Sequence, residues 1–191
     1  MQIFLIIAVI VALDQATKFF AKIHLGEGVQ QITLISDWLK FTYTENSGIA
    51  FGIDLGGRAV VTTLSILATI GICYYLYRTQ RDNGYYRAAF GCIIGGAFGN
   101  LIDRIVHGQV IDFIHFDLYN GYVWGKYVSV FPIFNVADTA ITVGVLIMFV
   151  FYKHIFEDPV PETLAADSAP AVEPPAEPSS DAPSEPAKQP N

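Results

Sequence analysis

Asp112 and Asp138 are the residues in this chain whose type and surroundings best suit chemistry. Neither has an obvious basic partner, lysine or arginine, within one helical turn along the chain. Asp138 lies in an apolar run, 131–152, that is otherwise long enough to cross a bilayer. A carboxylate there costs roughly 2.5–3.5 kcal/mol on insertion scales. Two carboxylates brought together cannot both ionise readily, so one pKa rises and the pair shares a proton. One can then take a proton from water while the other donates to a carbonyl oxygen, which is aspartic-peptidase chemistry. A proton relay or an ion-binding pair uses the same two groups, and spacing alone does not separate these readings.

The positioning elements are predicted to be membrane helices. The chain is 52% hydrophobic with positive mean hydropathy. Four apolar stretches, 3–20, 59–77, 88–106 and 131–152, each approach the ~20 residues a helix needs to span the bilayer. They do not alternate as barrel strands do. The first lacks a basic leader and a cleavage pattern and is read as a retained helix. The fold class is therefore an all-α membrane protein of four transmembrane helices. A small extramembrane β-sheet built from the outer loops is added, because residues 39–44 alternate apolar and polar. Residues 1–156 form the membrane domain. Residues 157–191 are an acidic, proline-rich tail expected to be disordered. That tail holds eight of the 18 acidic residues and Lys188 alone among bases, so the body is neutral. No basic patch suggests nucleic acid.

Four spans place both termini on one side and the loops 24–58 and 107–131 on the other. Asp14, Lys18, Asn100, Asp103, Arg104, Asn135 and Asp138 all fall toward the side of the long loops, by connectivity alone. The short loop 78–87 carries three arginines, which predicts cytoplasmic termini and a polar cluster facing outward. Trp38 and Trp124 fit interfacial belts.

Other clusters have quieter readings. Asn100, Asp103 and Arg104 share a helical face, with Arg104 neutralising Asp103. Asp14 and Lys18 form an i, i+4 ion pair that lowers insertion cost. Gly91, Gly95 and Gly99, with Gly96, permit close helix packing. Cys73 and Cys92 imply no disulfide. His107, Asp112, His115 and Asp117 lack metal-ligand spacing. No Gly-x-Ser-x-Gly occurs. A transporter or a noncatalytic scaffold competes with the enzyme, although the inner halves of the spans are apolar and offer no through-path.

Five segments in order carry a resemblance: Asp14-Gln-Ala-Thr-Lys18, Asn46-Ser-Gly48-Ile-Ala-Phe51, Gly99-Asn100-Leu-Ile-Asp103-Arg104, Gly108-Gln-Val-Ile-Asp112-Phe113 and Phe134-Asn135-Val-Ala-Asp138. Together they closely resemble the lipoprotein, or type II, signal peptidases over residues 1 to about 155. The resemblance implies a four-helix aspartyl peptidase of the bacterial inner membrane. It would cut diacylglyceryl-modified prolipoproteins just before the lipidated cysteine. Asp112 and Asp138 match the catalytic pair. Asn46, Gly48, Asn100, Arg104 and Asn135 match positions that line or support the site, and Asp14, Lys18 and Asp103 match mainly structural positions. No metal or organic cofactor is implied. The expected partners are the lipid-modified substrate, membrane lipid and globomycin-type inhibitors, with the chain acting as a monomer. Ile49, where many relatives have a small residue, and the aromatic stretch 116–131 depart from the pattern.

Overall fold

The computed structural model describes residues 2–26, 31–35, 38–48, 57–79, 81, 83–117, 120–123, 126–129 and 131–157. Ile49, Trp124 and the tail beyond Glu157 lie outside the described residues. Of the stretch 116–131, only the backbone of two short strands is described between Asp117 and Phe131.

Helix α1 spans Gln2–Leu25, α2 Arg58–Thr79 and α3 Gly84–His107. All three are long and apolar enough to cross a membrane. Leu, Ile, Val and Phe dominate α1, while α2 and α3 mix them with Gly, Ala, Thr and Tyr, and the backbone groups bond within each helix, as hydrocarbon requires. Asn83 caps α3 by accepting from Tyr86 N at 2.8 Å. Gly108 ends it at φ 75°, with its N–H on Arg104 O at 3.1 Å. A left-handed residue at that position is the usual glycine helix stop.

The α3 helix is the central one. A Cβ on Gly91 would stand 2.8 Å from Ile6 Cγ2, and one on Gly95 2.9 Å from Ile10 Cβ, so α1 rests on this face. On another face, a Cβ on Gly96 would stand 2.8 Å from Ile141 Cγ1 of the fourth helix. The expected glycine packing surface is present, and it serves two neighbours. By contrast α2 fully buries only Val61 and Thr69, rests Ile72 and Leu76 on the core and leaves most of its other residues exposed to the surroundings that lipid would occupy.

The fourth apolar run departs from a single helix over 131–152. Helix α4 covers Val136–Val150, 15 residues, and α5 covers Tyr152–Phe156 after a break at Phe151. Residues before Val136 are held in extended form. Phe134 exchanges N–H···O bonds with Ile114, at 3.0 and 2.8 Å. Asn135 then caps α4 in a capping box with Asp138. Asp138 therefore lies in the first turn of its helix, not a turn inside a span.

The loops build a three-stranded antiparallel sheet in the order β1 Gln31–Ile35, β2 Leu39–Asn46, β3 Val110–Phe116. The strand expected over 39–44 is two residues longer. Its register sets Thr44 opposite Asp112 and Asn46 opposite Val110. Beyond it, β4 Asn120–Val123 and β5 Lys126–Ser129 form a hairpin. The protein is thus mostly helical, with a small sheet joining the two long loops.

Candidate active site

Three elements deliver the polar groups to one place. Strand β3 brings Asp112, the first turn of α4 brings Asp138, and the end of α3 brings Asn100 and Arg104. All four line one cleft of ≈ 460 Å³, together with Asn46 from the end of β2. Apolar residues Phe131 to Phe134 form much of its remaining wall.

Asn135 sits between the two aspartates and is fully buried. As the helix cap, its Oδ1 accepts from Asp138 N at 2.9 Å. That orientation turns Nδ2 the other way, where it donates to Asp112 Oδ1 at 2.7 Å. The Asn135 backbone N–H also donates to Asp138 Oδ2 at 3.3 Å. One residue therefore starts α4 and ties both carboxylates to a common point. It does so as a cap, outside the helix proper, with its i+3 partner Asp138 closing the box.

Each aspartate has a further amide donor. Asn46 Nδ2 reaches Asp112 Oδ2 at 3.3 Å, and Asn46 Oδ1 accepts from Gly48 N at 2.9 Å. Asn100 Nδ2 donates to Asp138 Oδ1 at 2.7 Å. Asp112 is 3% exposed. Burial first, and the charge of Asp138 second, push its carboxyl up to about 7, against the opposing pull of Asn46, Asn135 and Lys18. Both effects penalise the ionised form.

Behind the cleft lies a second charged group. Lys18, 2% exposed, pairs with Asp14 at 2.8 Å and Asp103 at 2.9 Å. The Asp14–Lys18 pair was expected. The Arg104–Asp103 clamp was not realised: Asp103 turns to Lys18 across the helix interface, and Arg104 bonds Asn100 O at 3.4 Å and faces the cleft. A side chain at i+4 on α1 outcompetes one at i+1 on α3, because i and i+1 diverge on a helix. Gln15 was not singled out from sequence. It donates to Asp14, Asp103 and Gly99 O at 3.2, 2.9 and 3.2 Å. Its place beside Asp14 in a motif segment was the available signal. His115 and Asp117, considered as metal ligands, are engaged elsewhere, with Thr42 at 3.1 Å and with Lys40.

Long apolar helices that carry an amide-braced pair of carboxylates, one buried and one half-buried, in a cleft at their ends define a polytopic membrane protein with a site suited to acid–base chemistry. Comparison with known proteins sharpens this. The family model described as Signal peptidase (SPase) II matches residues 6–154. The lipoprotein signal peptidase of Chlorobium phaeobacteroides strain BS1 is 43% identical over 153 residues, covering 80% of this chain and 96% of that protein. That of Halalkalibacterium halodurans is 38% identical, covering 76% and 88%. A solved bacterial membrane enzyme superposes with a TM-score of 0.65 at 30% identity, covering 82% of this chain and 94% of that one. The chain belongs to the signal peptidase II family of membrane proteases, which process lipoprotein precursors.

Proposed function

We propose that the protein is an aspartic endopeptidase that removes the signal peptide from diacylglyceryl-modified prolipoproteins, cutting immediately before the lipidated cysteine. The observation that carries this reading is the Asn135 bridge, which holds Asp112 and Asp138 on one cleft wall. Water attack on a peptide bond needs a base and an acid on one scissile unit.

Asp138, with N–H donors on both oxygens, takes the proton of the attacking water. Asp112 is the acid. Its burial keeps the proton on near neutral pH, and it donates to the scissile carbonyl oxygen as the new C–O bond forms. Collapse of the resulting diol breaks the C–N bond. The proton gained by Asp138 then leaves with the amine of the lipidated cysteine, and Asp112 recovers its own from the diol. Arg104, facing both aspartates, is placed to hold substrate backbone or a lipid headgroup.

The membrane arrangement follows from the same geometry. Helix α4 rises about 22 Å at 1.5 Å per residue, and α5 extends it to about 30 Å, so α4 with α5 serves as a fourth span. Arg78 at the end of α2, Arg81 between the helices and Arg87 early in α3 support a cytoplasmic position for that connection and both termini. The sheet and cleft then face the outer side of the bacterial inner membrane. The substrate's acyl chains stay in lipid while its cysteine reaches the cleft, and the chain works as a monomer. Globomycin-type cyclic peptides would occupy the same cleft.

The test is a mobility-shift assay with purified protein and a lipidated precursor. Asp112→Asn and Asp138→Asn should each abolish cleavage while the protein still folds into membranes. Cleavage retained by both variants would remove the assignment.

A further inference from the structure

The Asp14–Lys18 pair was read above as a device that lowers insertion cost, and in the structure Asp103 joins it. Its outer hydrogen bonds indicate more. Asp14 Oδ1 accepts from the backbone N–H of Ala137 at 2.9 Å, and Ala137 is the residue immediately before Asp138. Asp103 Oδ2 accepts from the backbone N–H of Ile111 at 3.2 Å, and Ile111 is the residue immediately before Asp112. Lys18 joins the two carboxylates at 2.8 and 2.9 Å. It also donates to Asn100 Oδ1 at 3.0 Å, as does Asn135 Nδ2 at 3.1 Å. Two donors on that oxygen turn the Asn100 amide so that its NH₂ meets Asp138.

We propose that Asp14, Lys18 and Asp103 act as positioning residues for the carboxylate pair: each carboxylate grips the backbone one residue before a reacting aspartate, and Lys18 sets the spacing between the two grips. The inference rests on the aspartic reading above. None of the three side chains touches the cleft, so their effect passes through Ala137, Ile111 and Asn100. Neutral hydrogen bonds would make the same contacts with less restraint, whereas charge-assisted ones are shorter and about twice as strong. Three helices and a strand meet at this point, and a small shift in it moves Asp112 relative to Asp138. A displacement of about 1 Å in a reacting group costs on the order of a hundredfold in rate.

The discriminating variant is Lys18→Arg. It keeps the positive charge and both ion pairs but replaces a compact ammonium with a longer planar fork. The charged groups facing the pair are otherwise Arg104 from α3 and the pair itself, with neutral Asn46 from β2. The pH profile of kcat for the wild type should show two limbs whose separation grows with the burial of Asp112 first and its repulsion by Asp138 second. Because the variant preserves charge, a narrower separation reports a longer distance between them. We expect normal membrane insertion, kcat reduced about a hundredfold, KM within about threefold, and limbs drawn closer. A structural role alone would lower the yield of folded protein without moving the limbs.

Wild-type kcat and limb separation in folded Lys18→Arg, with Asp112→Asn inactive, would overturn the positioning role and leave the aspartic reading standing. Cleavage by Asp112→Asn would instead remove the reading on which the inference depends. Should Lys18→Arg not fold, Asp103→Asn decides by the split of kcat against KM: it keeps an acceptor for Ile111 N but loses the ion pair with Lys18 and the bond from Gln15, and wild-type kcat in the folded variant would overturn the positioning role.

Discussion

Asp112→Asn should make the protein more stable above neutral pH while making it inactive. The ordinary carboxyl value is 3.8, and burial with the nearby charge of Asp138 raises it to about 7. The folded chain thus holds this proton more tightly than the unfolded chain. Between about pH 4 and pH 7 the folded state binds more protons, so stability falls as pH rises through that window. Three units at 1.36 kcal/mol each is about 4 kcal/mol once Asp112 is ionised in the fold. Asparagine is never ionised and escapes that cost. It gives up one acceptor, however. It keeps an oxygen for Asn135 Nδ2 at 2.7 Å and turns an amide toward Asn46, which costs about 1 kcal/mol. The net gain is about 1–3 kcal/mol at pH 8 and only about 0–1 kcal/mol at pH 5, where little more than one unit of that window has been crossed. Paired thermal unfolding of the two proteins in detergent at pH 5, 6.5 and 8 reads this directly. An equal difference at all three values, or a variant less stable than wild type at pH 8, would refute the account of Asp112. The same group predicts catalysis: cleavage should decline about tenfold per unit above pH 7 as the acid loses its proton.

Asn135→Ser should retain a helix cap but lose the donor to Asp112, so unfolding shifts by about 1 kcal/mol while cleavage falls at least tenfold; Asn135→Ala should lose the cap as well and cost about 1–2 kcal/mol more. Two glycines should respond in opposite directions in a detergent melting series. A Cβ on Gly99 would stand 2.5 Å from Asp14 Oδ2 and 3.2 Å from Ala137 Cβ, so Gly99→Ala should destabilise by about 1–3 kcal/mol. Gly71 in α2 has nothing within 4 Å of such an atom, and Gly71→Ala should be neutral or stabilise by up to about 1 kcal/mol. Because the family match ends at residue 154, a chain stopped after Glu157 should cleave a lipidated precursor at the full-length rate in the same mobility-shift assay.

Much of this design is readable along the chain because bilayers impose a local rule. Unbroken apolar runs must become helices, and α1, α2 and α3 fall over the predicted stretches with ends displaced by a few residues. Connectivity then sends the polar ends of those helices to the side of the long loops, where Asn46, Asn100, Arg104, Asp112 and Asp138 line one cleft. The glycine face of α3 was equally plain, since a four-residue repeat marks one side of a helix. The start of α4 was misplaced by five residues because hydropathy does not register a cap. Asn135 followed three positions later by Asp138 was the missed signature.

Sequence alone therefore marked three of the long helices, the ends on which the polar residues gather and two aspartates as candidates for chemistry, all of which depend on local hydropathy, spacing and chain order. Only the tertiary structure decided that Asp103 pairs with Lys18 in place of Arg104, and that Asn135 joins Asp112 to Asp138. Such partners come from separate helices and strands. Their choice is made by which side chain reaches a buried charge first when desolvation forbids leaving it alone, and no spacing along one segment encodes that competition.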